Sequence, residues 1–190
     1  MIAGTILLGM AGCIPTSLQP LYTEKDLIFD STLVGVWSAD KNAKETWNFQ
    51  KAGEKEYKLI ITDEDGASGQ FQTHLLKLGD TLFLDFFPDN AEMDAWKRSG
   101  YYKLLLQPMH SFVKVDHLSP DLRMLPLDTK WLRQLLKKNP EALPHANLEP
   151  DKDEQPVVIT ASTKELQAFA IKYLKSPEAY GDAIELKRAK

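Results

Sequence analysis

Apolar and polar side chains alternate with a period of two through much of the first two thirds of this chain. In residues 45–50, Trp47 and Phe49 share one face, while Thr46, Asn48 and Gln50 share the other. In 57–62, Tyr57, Leu59 and Ile61 line one face in the same way. Successive side chains of a strand point to opposite sides, so this rhythm predicts strands with one apolar face. Further strands are expected at 33–38, 70–78, 81–87, 101–107, 111–118 and 122–127. Asp63-Glu64-Asp65-Gly66 and Gly79-Asp80 supply the residues that tight hairpin turns need. Breaks are expected at 88–99 and at Ser119-Pro120. Short, closely spaced strands of this kind argue for antiparallel pairing in a sandwich or barrel.

After residue 127 the period changes. Trp131, Leu132, Leu135 and Leu136 fall on one face of a helix over 128–138, with Asp128 as its cap and Asn139-Pro140 beyond its end. Residues 140–156 are acidic, proline-bearing and aperiodic, and read as a loop. A short strand is expected at 157–160. Ser162 and Glu165 have the spacing of a capping box. Leu166, Phe169, Ala170, Tyr173 and Leu174 then form the apolar stripe of a helix over 162–175, which Ser176-Pro177 stops. A last strand is expected at 183–188.

A chain of 190 residues has room for one domain with a sizeable core. Its net charge of −4 offers no basic field for nucleic acid. With a single cysteine there is no intrachain disulfide, so stability must come from burial. No internal repeat is visible, and no stretch after the first dozen residues approaches membrane length.

That single cysteine follows a short apolar run, Ile6-Leu7-Leu8-Gly9-Met10-Ala11-Gly12-Cys13. The run resembles the lipobox of bacterial lipoproteins: an apolar residue, two small residues, then the acceptor cysteine. The resemblance implies a signal peptide over 1–12, cleavage before Cys13 and a diacylglycerol on its sulfur. Residues 13–32 would be a lipidated N-terminus and tether, and 33–190 a single barrel domain with helices near 128–138 and 162–175. Two or more acyl chains anchor a protein stably, at about 0.8 kcal/mol per buried methylene. Ile14 rather than Asp follows the cysteine, which implies the outer membrane, facing the periplasm. No Lys or Arg precedes the run, and Met10 stands where Leu is usual. The alternative is a buried structural cysteine.

The order of elements is similar to the lipocalin-like barrels. Gly35-Val36-Trp37 resembles that family's Gly-x-Trp motif on the first strand. The resemblance implies a mainly β fold: an antiparallel up-and-down barrel of eight to ten strands, with two amphipathic helices in the C-terminal third. It also implies that Trp37 packs across one end of the barrel beneath an arginine from near the chain end. Arg188 is the match, with Lys187 second. A cation over an indole is worth about 0.5–2 kcal/mol. The family's Thr-Asp-Tyr motif is absent; Val115-Asp116-His117 is its nearest counterpart.

Candidate chemistry is sparse. The histidines His74, His110, His117 and His145 include no metal-pair spacing. Asp116 and His117 are strand neighbours and point to opposite faces. No Gly-x-Ser-x-Gly elbow is present, so no catalytic set is assigned. Asp63-x-Asp65-Gly66 starts like a calcium loop, but position 74 is His where the loop needs Glu. His74 shares a face with Gln70 and Gln72 and reads as a wet outer face or a polar cavity wall. Asp85 stands between Phe83 and Phe87, either inside a cavity or among surface aromatics. With Trp47 these two are the candidate ligand-cavity residues.

The expectation is a non-enzymatic barrel, anchored to the membrane by lipid, that binds a small apolar ligand or a lipid and needs no cofactor. The alternative is a filled barrel that docks to another envelope protein through 128–156.

Overall fold

The computed structural model describes residues 14–39, 43–89, 107–146, 148 and 157–189. Two short strands come first, β1 (Thr16–Ser17) and β2 (Leu27–Ile28). Then follow β3 (Gly35–Ser38), β4 (Thr46–Lys51), β5 (Tyr57–Thr62), β6 (Ser68–Leu78), β7 (Thr81–Pro88), β8 (Ser111–His117) and β9 (Leu122–Pro126). Helix α1 (Thr129–Lys138), β10 (Val158–Ile159), helix α2 (Thr163–Tyr173) and β11 (Ile184–Arg188) complete the order.

From β3 to β9 each strand pairs antiparallel with the next, and β11 fits between β9 and β3. That closes an eight-stranded antiparallel barrel, to which β2 adds a ninth strand beside β6. The two helices sit before the closing strand, not after a finished barrel. The pairing gives the barrel two ends. Gly35, Tyr57, Leu78 and Arg188 lie toward the lower end; Ser38, Thr62, Ser68, Pro88 and Ser111 lie toward the upper rim.

Local chemistry explains the elements. Gly66 (φ 85°) and Gly79 (φ 62°) take the left-handed backbone that the β5–β6 and β6–β7 hairpins require. Asp63 Oδ1 accepts the amides of Asp65 (3.0 Å) and Ala67 (2.9 Å), which makes its carboxylate part of the turn. Asp128 accepts the Trp131 amide at 2.6 Å and starts α1. Ser162 and Glu165 form the reciprocal capping box of α2.

Strands β6, β7 and β8 bury side chains on both faces. Inside the barrel Trp37, Phe49, Tyr57, Leu59, Leu75, Leu84, Leu122 and Met124 pack together. Outside, Leu76, Leu78, Phe83 and Phe112 pack against Leu132 and Leu136 of α1 and Leu166 and Phe169 of α2. Each such side chain contributes about 1.5–3 kcal/mol on burial.

The short strand expected at 157–160 is present as β10, paired with β1. Two expectations change. Residues 14–32 are no free tether: Leu21 is fully buried, β1 pairs parallel with β10, and β2 pairs with β6. Leu33, placed in the first strand, belongs to a 3-10 turn (Ser31–Leu33) that leads into it. The strand expected at 101–107 lies outside the described residues, apart from Gln107, which is not in a strand.

Candidate functional site

Trp37 and Arg188 are cross-strand partners at the lower end. Arg188 Cζ lies 4.4 Å from the Trp37 ring centroid, and the guanidinium donates to the carbonyls of Val34 and Thr32. Trp37 Nε1 donates to the Leu33 carbonyl at 2.8 Å. Gly35 has φ 135°, and a Cβ there would run into Arg188 Nη1. Phe29 stacks on Tyr57 at 4.9 Å, while the Tyr57 hydroxyl accepts the Asp30 amide and donates to the Asp30 carbonyl. Burial pushes the Tyr57 hydroxyl up to about 12. These contacts fill the lower end.

The upper half of the interior carries its own apolar side chains. Ile61, Phe71 and Phe86 face inward near the rim but are only partly buried. Trp47 lies among them, edge-on to Phe86 at 6.2 Å, with its indole N–H donated to Glu45 at 2.9 Å. Below them is Thr73, opposite Tyr57 on β5 and Phe86 on β7. Thr73 is fully buried, and its hydroxyl has no hydrogen-bond partner among the described residues.

Asp85 and His74 are cross-strand neighbours on the other face, the outer wall. They are buried there because residues 15–22 cross over them. Asp85 is 1 % exposed. Its Oδ2 accepts the Leu21 amide at 2.9 Å, and its Oδ1 lies 2.6 Å from His110 Nδ1. His110 also exchanges two backbone hydrogen bonds with Ser17, both 2.8 Å, and its ring packs at a tilt against Phe87, 4.4 Å between centroids. Tyr22 covers His74 at 4.5 Å. His74 Nε2 stands 3.9 Å from Glu56 Oε2, which accepts from Gln72 at 2.9 Å. Burial lowers the His74 pKa against the pull of Glu56, Asp85 and Glu24. Burial, then Asp85, Glu24 and Glu56, push the Tyr22 hydroxyl up to about 12.

The three residues expected to line one cavity therefore separate, with Trp47 inside the barrel and Asp85 and His74 on its outer wall. Alternation along β7 places Asp85 on the face opposite Leu84 and Phe86, and β6 treats His74 likewise. The Asp85–His110 couple has the geometry of an oriented base. Nearby hydroxyls are engaged elsewhere, Ser111 Oγ with Pro15 O at 3.4 Å and Ser17 Oγ with Gln19 N at 3.2 Å. Its visible work is to pin the N-terminal segment. No sequence signal linked His110 to Asp85, because the pairing depends on the β7–β8 register.

The remaining candidates lie apart. Asp116 pairs with Arg123 at 2.6 Å, and Arg123 also meets Glu185. His145 Nδ1 lies 2.8 Å from the Leu143 carbonyl oxygen. Among the described residues no group of three or more His, Cys, Asp or Glu side chains is placed to hold a metal. A cleft of about 10 Å³ between the outer wall and α2, lined by Phe83, Phe112 and Phe169, has space for about one water. Cys13 lies outside the described residues. No family model, curated protein or solved structure matches this chain.

Proposed function

We propose that this protein is a non-catalytic binding barrel of a bacterial cell envelope. In this reading it is held by lipid on Cys13, faces the periplasm from the outer membrane, and takes a small apolar ligand or an acyl chain through its upper rim. The observation that carries the binding part is the partly exposed apolar wall that faces inward at the upper rim. The lower half is closed by Trp37, Arg188, Phe29 and Tyr57. The upper half turns partly exposed Ile61, Phe71 and Phe86 inward above the unpartnered Thr73 hydroxyl. An apolar wall facing inward at the rim suits a small ligand with an apolar body.

Native mass spectrometry of the gently purified protein tests it. A bound lipid mass is expected, and Phe86→Lys should lose it by setting a charge in the apolar wall. An unliganded parent that also takes up no added fatty acid would overturn the binding reading. Intact mass against a Cys13→Ser control tests the anchor separately: an added diacylglycerol and acyl chain are expected, and an unmodified Cys13 would overturn it.

The fully buried Trp37, Phe49, Tyr57 and Leu59 inside the barrel favour a second reading, a solid barrel that docks to an envelope protein around α1 and the segment after it. Crosslinking in cells would capture a partner along 128–156 if this second reading holds.

A further inference from the structure

The N-terminal segment lies over a buried imidazole of the outer wall. Tyr22 covers His74 with 4.5 Å between ring centroids, and His74 is 8 % exposed. Titratable groups face that ring from each element packed around it. Among the described residues these are Tyr22 and Glu24 of the segment, Glu56 just before β5, Asp85 on β7 and His110 just before β8. Asp85 is the cross-strand partner of His74, and Glu56 Oε2 stands 3.9 Å from His74 Nε2.

The part of the segment that makes this cover is fastened by few bonds. Ser17 is bridged to His110 above it, and Leu27 and Ile28 pair with Leu76 and Leu75 below it. Residues 19–26 between these pairings belong to no strand. The Leu21 amide donates to Asp85 at 2.9 Å, its carbonyl accepts from Gln167 at 2.9 Å, and the Pro20 carbonyl accepts from Thr163 at 2.8 Å.

While the segment lies down, burial disfavours the charged form of His74. With Tyr22 lifted, water reaches the ring, and Glu56 and Asp85 remain beside it on the barrel. Both carboxylates favour an imidazolium. The open arrangement therefore holds a proton more tightly than the closed one, and acid favours opening. The fastening is complete above the ordinary 6.5 and weakens as pH falls from there toward the lowered value of the closed state. The Asp85–His110 contact does not oppose this, because it joins two residues of the barrel side and does not need the segment.

We infer that residues 19–26 form a pH-sensitive strap, which lies on the outer wall while His74 is neutral and lifts when His74 gains a proton, without the barrel unfolding. Lifting uncovers the buried Leu21 and the outer wall of β6 and β7. The inference depends on neither the anchoring nor the binding reading above.

Residue-resolved amide exchange of the full chain, corrected for intrinsic rates, tests it. Leu21 reports the strap, and Leu59 and Leu84 report the barrel. Leu21 should be less protected than both at each pH, because the strap opens by itself. Its protection should fall at least about threefold from about pH 7 to about pH 5, since a unit of difference between the open and closed proton affinities is worth up to about tenfold. His74→Gln should abolish that fall. Tyr22→Ala, at a half-buried position, should lower Leu21 protection at neutral pH and flatten its pH dependence, because the ring is then wet in both arrangements. Leu21 protection equal to that of Leu59 and Leu84 at both pH values would overturn the inference, since the segment then opens only with the barrel. An undiminished fall in either variant would overturn it as well.

Discussion

At the lower end of the barrel one glycine, one tryptophan and one arginine constrain each other. Gly35 has φ 135°, and its missing Cβ leaves the space that the Arg188 guanidinium occupies over Trp37. Gly35→Ala should lower the urea unfolding free energy by about 2–3 kcal/mol, from backbone strain plus displacement of the arginine. Arg188→Lys should also destabilise, because an ammonium cannot fork between the Val34 and Thr32 carbonyls while lying flat on the indole. This trio is legible in the chain, since the Gly-x-Trp spacing names two members and a cation near the end supplies the third. Thr73 is not legible. A threonine in a strand signals only strand, and its orphaned hydroxyl follows from its neighbours being Tyr57 and Phe86.

Among the elements, the N-terminal segment departs furthest from expectation. With two prolines and little periodicity, residues 14–32 read as a tether. Instead they lie along the barrel wall, fastened at Ser17, Leu21 and Leu27. Extended segments of two or three paired residues carry no period, so pattern analysis passes over them. Asp85 is the middle fastening. Asp85→Ala strips the Leu21 amide and His110 of their shared acceptor and should cost about 2–4 kcal/mol. Amide exchange decides whether that loss is local: Leu21 should lose protection first, while Leu59 and Leu84 in the barrel keep more of theirs. Equal loss at all three amides would mean that the segment and barrel unfold as one unit.

Across the whole molecule, burial of outer-wall groups makes stability depend on pH. His74 is buried under Tyr22, facing Glu56, Asp85, Glu24 and His110. Its folded pKa lies below the ordinary 6.5, so on acidification the unfolded chain takes up the proton first. Stability contributed by neutral His74 is therefore present above 6.5 and is lost as pH falls from there toward the lowered folded value. Chemical denaturation between about pH 7 and about pH 5 should show a shallower decline for His74→Gln than for the parent. An unchanged slope would mean that another group governs acid sensitivity.

The chain by itself determined most of the local structure. Period-two stretches became strands β4 to β9, the Gly66 and Gly79 turns became hairpins, and Asp128 and Ser162 capped the helices expected of them. Each depends on residues close in sequence, where backbone geometry and side-chain capping act alone. Only the tertiary structure decided what lies against each face. Alternation showed that Phe83, Asp85 and Phe87 share a side, but which side faces inward depends on barrel closure by β11, a partner from the far end of the chain. Whether the outer side meets water depends on residues 15–22 crossing over it. That is why Asp85 and His74 are buried on the outer wall rather than in the barrel. Pairings between distant residues are set by closure and register, which a one-dimensional pattern does not contain.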